Sequence, residues 1–131
     1  MSTRAAPTED AEQTALFQRV AYSLATLPEL ALLFHIPNGG YRSRRTAARF
    51  KEQGVKAGIP DLLLPVARHG FHGLWIEMKR TDSRPSETKP LQLKWHTDLT
   101  AQGYRVEVCK GWESAWNVLM NYLSTEGKTN V

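Results

Sequence analysis

Apolar residues recur along this chain in two ways, at helical spacing in some stretches and in short unbroken runs in others. From about Glu9 to Leu27, apolar side chains stand four residues apart, which predicts a helix that Pro28 terminates. From Trp112 to Leu123 they occupy positions i, i+3, i+4, i+7, i+8 and i+11, the wide stripe of a helix that packs against a core. Two amphipathic helices are therefore predicted near the two ends of the chain.

Capping and breaking residues predict two more helices between these. A basic helix runs from an N-cap at Ser43 to a stop at Gly54. Another begins at Pro90, which suits a first helical turn, and continues to Gln102 before Gly103. The polar segment TDSRPSETK, which precedes this last helix, is predicted to be a loop.

Four short apolar runs predict β-strands. They are Leu30–Ile36, Asp61–Val66, Leu74–Arg80 and Tyr104–Lys110. The turn-rich segment ARHGFHG joins the second run to the third, and it is short enough for an antiparallel hairpin. The complete order is helix, strand, helix, strand, strand, helix, strand, helix. This order predicts an α/β fold with a mixed central sheet and helices packed on its faces.

The length and composition are those of one globular domain. A chain of 131 residues is long enough for one hydrophobic core and too short for two comfortable domains. Its 41% hydrophobic and 23% charged residues are close to the average of folded proteins. We therefore predict a single domain over residues 11–124, with flexible segments at 1–10 and 125–131.

The sequence contains no signal for a membrane or for secretion. Its apolar runs are all shorter than about 18 residues, and the N-terminal segment lacks the apolar core of a signal peptide. The single cysteine, Cys109, has no second cysteine for a disulfide and no ligand at metal-binding spacing. We therefore expect a soluble cytoplasmic protein in which Cys109 is a core thiol.

The charge of the chain favours a polyanionic partner. The formal net charge is +4 at pH 7 and the sequence pI is about 9.4. Basic residues are concentrated around the second predicted helix, with one acid, Glu52, among them. They are Arg42, Arg44, Arg45, Arg49, Lys51 and Lys56. This density is expected where a protein neutralises the phosphates of a nucleic acid, although a solvated helix face has a similar composition.

The segment WIEMK places an acid and a base in an otherwise apolar strand. Because alternate residues of a strand share a face, Glu77 and Lys79 are expected to be neighbours. A hairpin loop over residues 67–71 would set Asp61 opposite Glu77 on that same face. The sequence thus predicts two carboxylates and an ammonium group in one patch, which a slip of one residue in the register would separate.

Such a patch is suited to a metal ion. Neighbouring carboxylates repel each other, and a hard cation such as Mg²⁺ relieves the repulsion by binding one or two of them together with phosphate oxygens and water. A lysine beside the ion can orient or deprotonate a water molecule, or neutralise charge that builds on the phosphoryl group. Taken alone, the triplet Glu-x-Lys is also explained by the solvated face of an amphipathic strand.

The complete set of motifs resembles a known family. GIPDLLL followed by GLWIEMKR resembles the PD-(D/E)xK nuclease superfamily. The extended pattern, which includes HIPNGG, LQLKW and GYRVEVCKGWESAW, resembles its VRR-NUC family over about Glu12 to Met120. The resemblance implies a restriction-endonuclease-like core. Because the family is found in bacterial and phage proteins, it also implies the cytoplasm of a bacterial host if a phage encodes the chain.

The resemblance assigns roles to the residues of this patch. Asp61, Glu77 and Lys79 would form the catalytic motif. Asp61 and Glu77 would bind the metal, and the backbone carbonyl of Met78 would add a further ligand. The implied cofactor is Mg²⁺, with Mn²⁺ as a substitute.

Three further residues enter the predicted site. Glu12, which precedes a glutamine, corresponds to the helical acid of the family and is assigned to the metal. Gln92 matches a motif glutamine and is counted with the catalytic residues. Its place on the sheet-facing side of a helix predicts either a hydrogen bond to Lys79, to a water at the metal or to a phosphate, or a boundary amide that touches water. Asn38 in PNGG is either a turn residue or, by the resemblance, a residue close to the site or to the DNA backbone.

The implied activity is metal-dependent hydrolysis of phosphodiester bonds in DNA, with the structure of the DNA recognised rather than its sequence. One domain carries one site, so symmetric cleavage of two strands requires a twofold dimer. Minimal VRR-NUC proteins resemble Holliday-junction resolvases in this respect. We therefore expect a homodimer that acts on branched DNA, with part of the 112–123 stripe or the first helix at its interface. The alternatives are a flap, fork or nicking nuclease with the same site, and a DNA-binding module that keeps the fold without the chemistry.

Overall fold

A four-stranded sheet organises the residues that the computed structural model describes, which are 5–37 and 44–124. The strands are β1 (Phe34–His35), β2 (Leu62–Leu64), β3 (Leu74–Lys79) and β4 (Arg105–Lys110). The helices are α1 (Glu9–Ser23), α2 (Arg44–Glu52), α3 (Pro90–Ala101) and α4 (Trp112–Leu123). Short 3-10 helices cover Pro28–Leu32 and Pro85–Glu87. Within these ranges, no helix has the length and apolar character needed to cross a lipid bilayer.

The sheet is mixed, as predicted. Its strands lie in the order β1-β2-β3-β4, with β2 antiparallel to both of its neighbours and β4 parallel to β3. A parallel pair requires a crossover connection, and α3 lies in the segment that supplies it. β3 therefore has a strand on each side, and all six of its residues are buried. The predicted α/β class is confirmed.

The register of the β2–β3 hairpin is the one predicted from the sequence. Leu62 pairs with Ile76, so the next pair outward in the same register is Asp61 and Glu77. β2 ends at Leu64, earlier than predicted, because the proline that follows has no amide hydrogen to give to the ladder. The shorter strand leaves the predicted neighbourhood of the two carboxylates unchanged.

The first apolar run is a strand only at its end. The prediction of a strand over Leu30–Ile36 was wrong for its first half, which belongs to a 3-10 helix. Leu30 and Leu33 are buried while Leu32 is exposed, and this period of three is the one that a 3-10 helix presents. A short apolar run has the same composition in either structure, so its sequence does not separate them.

The first helix is shorter than predicted, whereas the second stops at the predicted glycine. α1 ends at Ser23, one turn early, because the carbonyl of this residue accepts hydrogen bonds from two amides of the following turn. α2 ends at Glu52, and Gly54 then takes a positive φ of 88°, the conformation expected of a helix stop. The N-cap predicted at Ser43 lies outside the described residues.

The main core lies between one face of the sheet and the pair α1 and α4. Its buried side chains include Leu16, Val20, Leu74, Ile76, Met78, Ala115 and Leu119. Tyr122 is also buried, and its hydroxyl donates a hydrogen bond of 2.5 Å to the carbonyl of Val66. Cys109 is a core thiol, and burial raises its pKa to about 11. The apolar stripe of α4 is therefore packed inside this domain instead of being left for a partner.

Candidate active site

Two charged residues are buried on the central strand. Glu77 is 3% exposed and Lys79 is 9% exposed, although both would be expected at the surface. They alternate along β3 with Ile76 and Met78, which face the core, and so they point to the opposite face, towards α3. Buried charges are costly unless they are paired and hydrogen-bonded, so the partners of these two side chains determine the site.

The third member of the motif is fixed by main-chain groups. Oδ2 of Asp61 accepts a hydrogen bond of 2.7 Å from the amide of Met78. The carbonyl of Asp61 accepts hydrogen bonds from the amide of Ile36 at 2.8 Å and from Nδ1 of His35 at 3.0 Å. The acid is thus held between β1 and β3, next to Glu77. The structure brings together the three residues that the sequence assigned to catalysis.

Gln92 connects the acid and the base of β3. Its Oε1 accepts hydrogen bonds from Nζ of Lys79 at 3.1 Å and from the amide of Lys89 at 3.0 Å. Its Nε2 donates to Oε2 of Glu77 at 3.3 Å. The hydrogen bond to Lys79, one of the alternatives predicted for this residue, is therefore present. Because Gln92 lies in the first turn of α3, the start of that helix fixes the positions of both charged groups.

Glu77 is the most perturbed carboxyl group of the site. Burial, followed by the charge of Asp61 and hydrogen bonding to it, raises the pKa of Glu77 to about 9. Its Oε1 is buried without a hydrogen-bond partner among the described residues. A buried carboxylate oxygen with no donor, beside a second carboxylate, fits a divalent cation.

The side chains available for a cation are few. No group of three or more His, Cys, Asp or Glu side chains that could hold a metal ion occurs in the two described ranges. Asp61 and Glu77 therefore supply two carboxylates, which matches the way Mg²⁺ binds, since it keeps several waters and takes few protein ligands. The backbone carbonyl assigned to Met78 remains a prediction.

The acid that α1 contributes to the cavity is Glu9. Glu9 lines the same cavity as Asp61 and Glu77, and burial raises its pKa above the usual range, against the opposing charge of Lys79. Glu12, which the sequence analysis assigned to the metal, is placed elsewhere by the structure. It is buried and accepts a hydrogen bond of 3.2 Å from the amide of Trp112, at the start of α4. Glu12 thus joins two helices, a role that the carboxylate preference of helix N-termini explains.

The three acids and the lysine line a cavity of about 460 Å³. Its other lining residues are Ala57, Gly58, Glu87, Lys89, Leu91 and Gln92. Gly58 has a φ of +82°, and a Cβ there would lie 2.8 Å from Cγ of Leu91. This position therefore requires glycine for its conformation and for the close approach of α3. Glu9 and Gly58 were not predicted from the sequence. The signal for Glu9 was the helical spacing of acids in TEDAE, and the signal for Gly58 was its place just before IPD.

The residues predicted to bind nucleic acid lie on an exposed helix. Every described residue of α2 is at least partly accessible, and its basic side chains point to solvent. They are Arg44, Arg45, Arg49 and Lys51, and Lys56 is likewise exposed just after the helix. Asn38 and Arg42 lie outside the described residues. The chain passes from this helix directly to Ala57 and Gly58 at the cavity.

Similarity to known proteins agrees with this geometry. A family model described as VRR-NUC domain matches residues 9–113. A solved structure of a protein described as a VRR-NUC domain protein is similar to this chain, with a TM-score of 0.74 and 32% sequence identity. The similarity covers 92% of this chain and 91% of that one. None of the curated proteins matches.

The raised pKa of Glu77 predicts a pH-dependent stability. The folded protein holds a proton on Glu77 between its ordinary value of 4.5 and about 9, whereas the unfolded chain releases it. The stability of the metal-free protein should therefore fall as the pH rises through this window. Glu77→Gln removes the charge, so in EDTA at pH 8 it should be more stable than wild type by about 1–3 kcal/mol, and the two should converge near pH 5. Urea unfolding at both pH values measures this.

Glu113→Gln, at an exposed position of α4, is the matched control and should follow wild type. Addition of Mg²⁺ at pH 8 should stabilise wild type and leave Glu77→Gln nearly unchanged, because only the wild-type site offers both carboxylates. A wild-type stability that is equal at pH 5 and pH 8 would contradict the prediction.

Proposed function

The chain belongs to the VRR-NUC family, and from this nuclease-type domain we propose that it is a metal-dependent endonuclease that hydrolyses phosphodiester bonds in DNA. The observation that carries the proposal is the convergence of Asp61, Glu77 and Lys79 on one cavity, with Gln92 bonded to both members of the β3 pair. A decayed site that only bound DNA would have no reason to bury an acid and a base together. The intact set favours an enzyme over a binding module.

The carboxylates would hold the cofactor. Asp61 and Glu77 offer the hard oxygen ligands that Mg²⁺ or Mn²⁺ requires, and Glu9 faces the same cavity from α1. When bound, such an ion supplies Lewis-acid polarisation of the phosphoryl group and charge neutralisation at the departing oxygen. The raised pKa values of Glu9 and Glu77 reflect the cost of burying acids around one cavity, which a cation would offset.

Lys79 acts at the reacting phosphate. Its ammonium group donates one hydrogen bond to Oε1 of Gln92. An ammonium has three N–H donors, so others can bind a water molecule or a phosphate. From this position it can orient the attacking water or donate to a phosphoryl oxygen on which negative charge develops. His96, on the same face of α3, remains neutral at pH 7, because burial and the charge of Lys79 lower its pKa. The ammonium of Lys79 therefore has no cationic competitor from His96.

The basic side chains of α2 would bind the DNA backbone. They are exposed and lie on the segment that leads into the cavity, so contacts with phosphates would guide a strand to the site. Such contacts position DNA without reading its bases. The enzyme would accordingly select the structure of its substrate, and we propose branched DNA, as in Holliday-junction resolution.

Cleavage of two strands at symmetric positions requires two copies of the domain, and we propose a homodimer. Two surfaces were predicted for the interface, part of the 112–123 stripe and the first helix. Because the stripe of α4 packs against the core, the region of the first helix is the surface that we propose. Exposed apolar residues lie at the end of α1, in the 3-10 helix that follows it and on β1. They are Tyr22, Leu24, Leu32 and Phe34. A surface of this kind is typical of a subunit interface.

The catalytic assignment is tested by cleavage. Lys79→Ala and Asp61→Ala should each reduce the cleavage rate with Mg²⁺ or Mn²⁺ by roughly 10²–10⁴-fold. The first change removes the group that acts at the phosphate, and the second removes a ligand of the metal ion. DNA binding in EDTA should persist in both variants. The substrates are a four-way junction, a flap, a fork and a linear duplex of related sequence, and the junction should be cut fastest. Asp82→Ala is the control, since this acid is exposed and its ion pair is with Arg80, outside the cavity. Equal cutting by all variants would refute the assignment.

Two of the acids of α1, Glu9 and Glu12, should separate activity from stability. Glu9→Ala should reduce cleavage and leave the free energy of unfolding at least as high as in wild type, because it removes a repelled charge from the cavity. Glu12→Ala should lower that free energy by about 1–3 kcal/mol, since it leaves the amide of Trp112 without its partner. Urea unfolding and single-turnover cleavage give both quantities. If Glu12→Ala lost cleavage and Glu9→Ala lost stability instead, Glu12 would be the acid that binds the metal.

The dimer is tested by mass in solution. At micromolar concentration the protein should have twice the monomer mass of 14.8 kDa, and Tyr22→Asp with Phe34→Asp should reduce it to the monomer. Light scattering after size exclusion measures the mass. Leu93→Asp, at an exposed leucine of α3, should remain dimeric. A wild-type protein that is only monomeric would count against the dimer.

A further inference from the structure

A second cavity of about 410 Å³ adjoins the catalytic one. It lies between the segment that follows α2 and the outer side of α3. Its lining residues are Lys56, Ala57, Leu91, Lys94, Trp95 and Asp98. Ala57 and Leu91 also line the catalytic cavity, so these two residues form a wall between the two spaces. We call the second space the Trp95 groove.

The groove presents an aromatic ring in a fixed position. Nε1 of Trp95 donates a hydrogen bond of 3.0 Å to the carbonyl of Ala57, so the polar edge of the indole is already used. What the ring offers to a ligand is therefore its apolar surface. Leu91 beside it is 47% exposed, although it is a large apolar residue next to a polar catalytic cavity. Together they form a small apolar platform that water covers in the free protein.

The rim of the groove is suited to phosphates. Lys56 is exposed and continues the basic series of α2. Lys94 lies on the other side and forms an ion pair of 2.6 Å with Asp98, which neutralises the acid at the rim. An apolar floor with the cation of Lys56 at its edge matches a nucleotide, since a base is flat and apolar on both faces and its backbone is anionic.

We propose that the Trp95 groove holds the base of an unpaired nucleotide next to the phosphate that the enzyme cleaves. This inference rests on the proposed nuclease function and specifies its substrate. A strand whose phosphate lies at Lys79 and leaves the cavity past Ala57 and Leu91 reaches the groove with its next nucleotide. A base that is paired in a duplex cannot enter a concave pocket without leaving its stack, and the cost of leaving is smallest where the base is already unpaired.

The groove therefore provides a physical basis for the choice of branched DNA. Junctions, flaps and forks carry strained or unpaired nucleotides at the branch, whereas a linear duplex does not. Stacking on an aromatic side chain tolerates every base, because each base has a π face. Selection would thus depend on the structure of the DNA, without contacts to the edges of particular bases.

The test uses the Lys79→Ala protein, which should bind DNA without cutting it. The probe is a flap that carries 2-aminopurine at the unpaired position next to the cleavage site, titrated in the presence of Mg²⁺. Binding should quench its fluorescence by stacking on the indole. The additional substitution Trp95→Ala should abolish the quenching and weaken binding roughly 5- to 100-fold, whereas Trp95→Phe should retain most of both. Leu91→Ala should weaken binding, and Leu93→Ala, two residues along the same helix and 53% exposed, should not.

A second arm removes the base instead of the ring. With an otherwise active protein, an abasic nucleotide at the same position should slow cleavage as much as Trp95→Ala does, and the two changes together should cost no more than either alone. If the abasic substrate is bound and cut like the intact one, or if Trp95→Ala behaves as wild type, the groove does not hold a base. In that case the cleavage lost in Lys79→Ala still supports the nuclease. If wild type cuts no DNA and the 2-aminopurine signal never changes, both the function and the groove are overturned.

Discussion

The burial of an acid and a base together on one central strand is the constraint on which the site depends. Glu77 and Lys79 are placed among apolar residues by the alternation of β3, where an unpaired charge would cost several kcal/mol. An amide side chain offers a donor and an acceptor on separate atoms of a flat, uncharged group, and Gln92 uses each for one of the two residues. The position of α3 follows from this requirement, since its first turn must bring the amide to the strand. One oxygen of Glu77 has no hydrogen-bond partner among the described residues, and this is the atom that the proposed cation would satisfy.

The sheet separates stability from chemistry. One face of β3 carries Ile76 and Met78 into the core with α1 and α4, and the other face carries Glu77 and Lys79 towards α3. A domain of this size has little apolar surface to spare, so its core occupies one side. The other side can then accommodate acids, a lysine and open space. The helix α1 contributes to both sides, because Glu12 ties it to the start of α4 while Glu9, earlier on the same helix, reaches the cavity.

The strand residues of the site and Gln92 of α3 could be predicted from the sequence, whereas the acid that α1 contributes could not. Alternation and hairpin register depend on counting alone, so the sequence is sufficient to place Asp61 beside Glu77. The choice between Glu9 and Glu12 depends on how α1 is rotated against the sheet, and this is set by the packing of the whole core. The 3-10 helix of Pro28–Leu32 escaped prediction for a related reason, since tertiary contacts decide the conformation of a short apolar run.

Asp61 is held almost entirely by the main chain. Its carboxylate accepts a hydrogen bond from the amide of Met78, and its carbonyl accepts one from the amide of Ile36. Neither hydrogen bond depends on the side chains of Met78 and Ile36. The residues around the acid can therefore drift in sequence while the acid stays in place. Substitutions could therefore remodel the surface near Asp61 without moving its carboxylate.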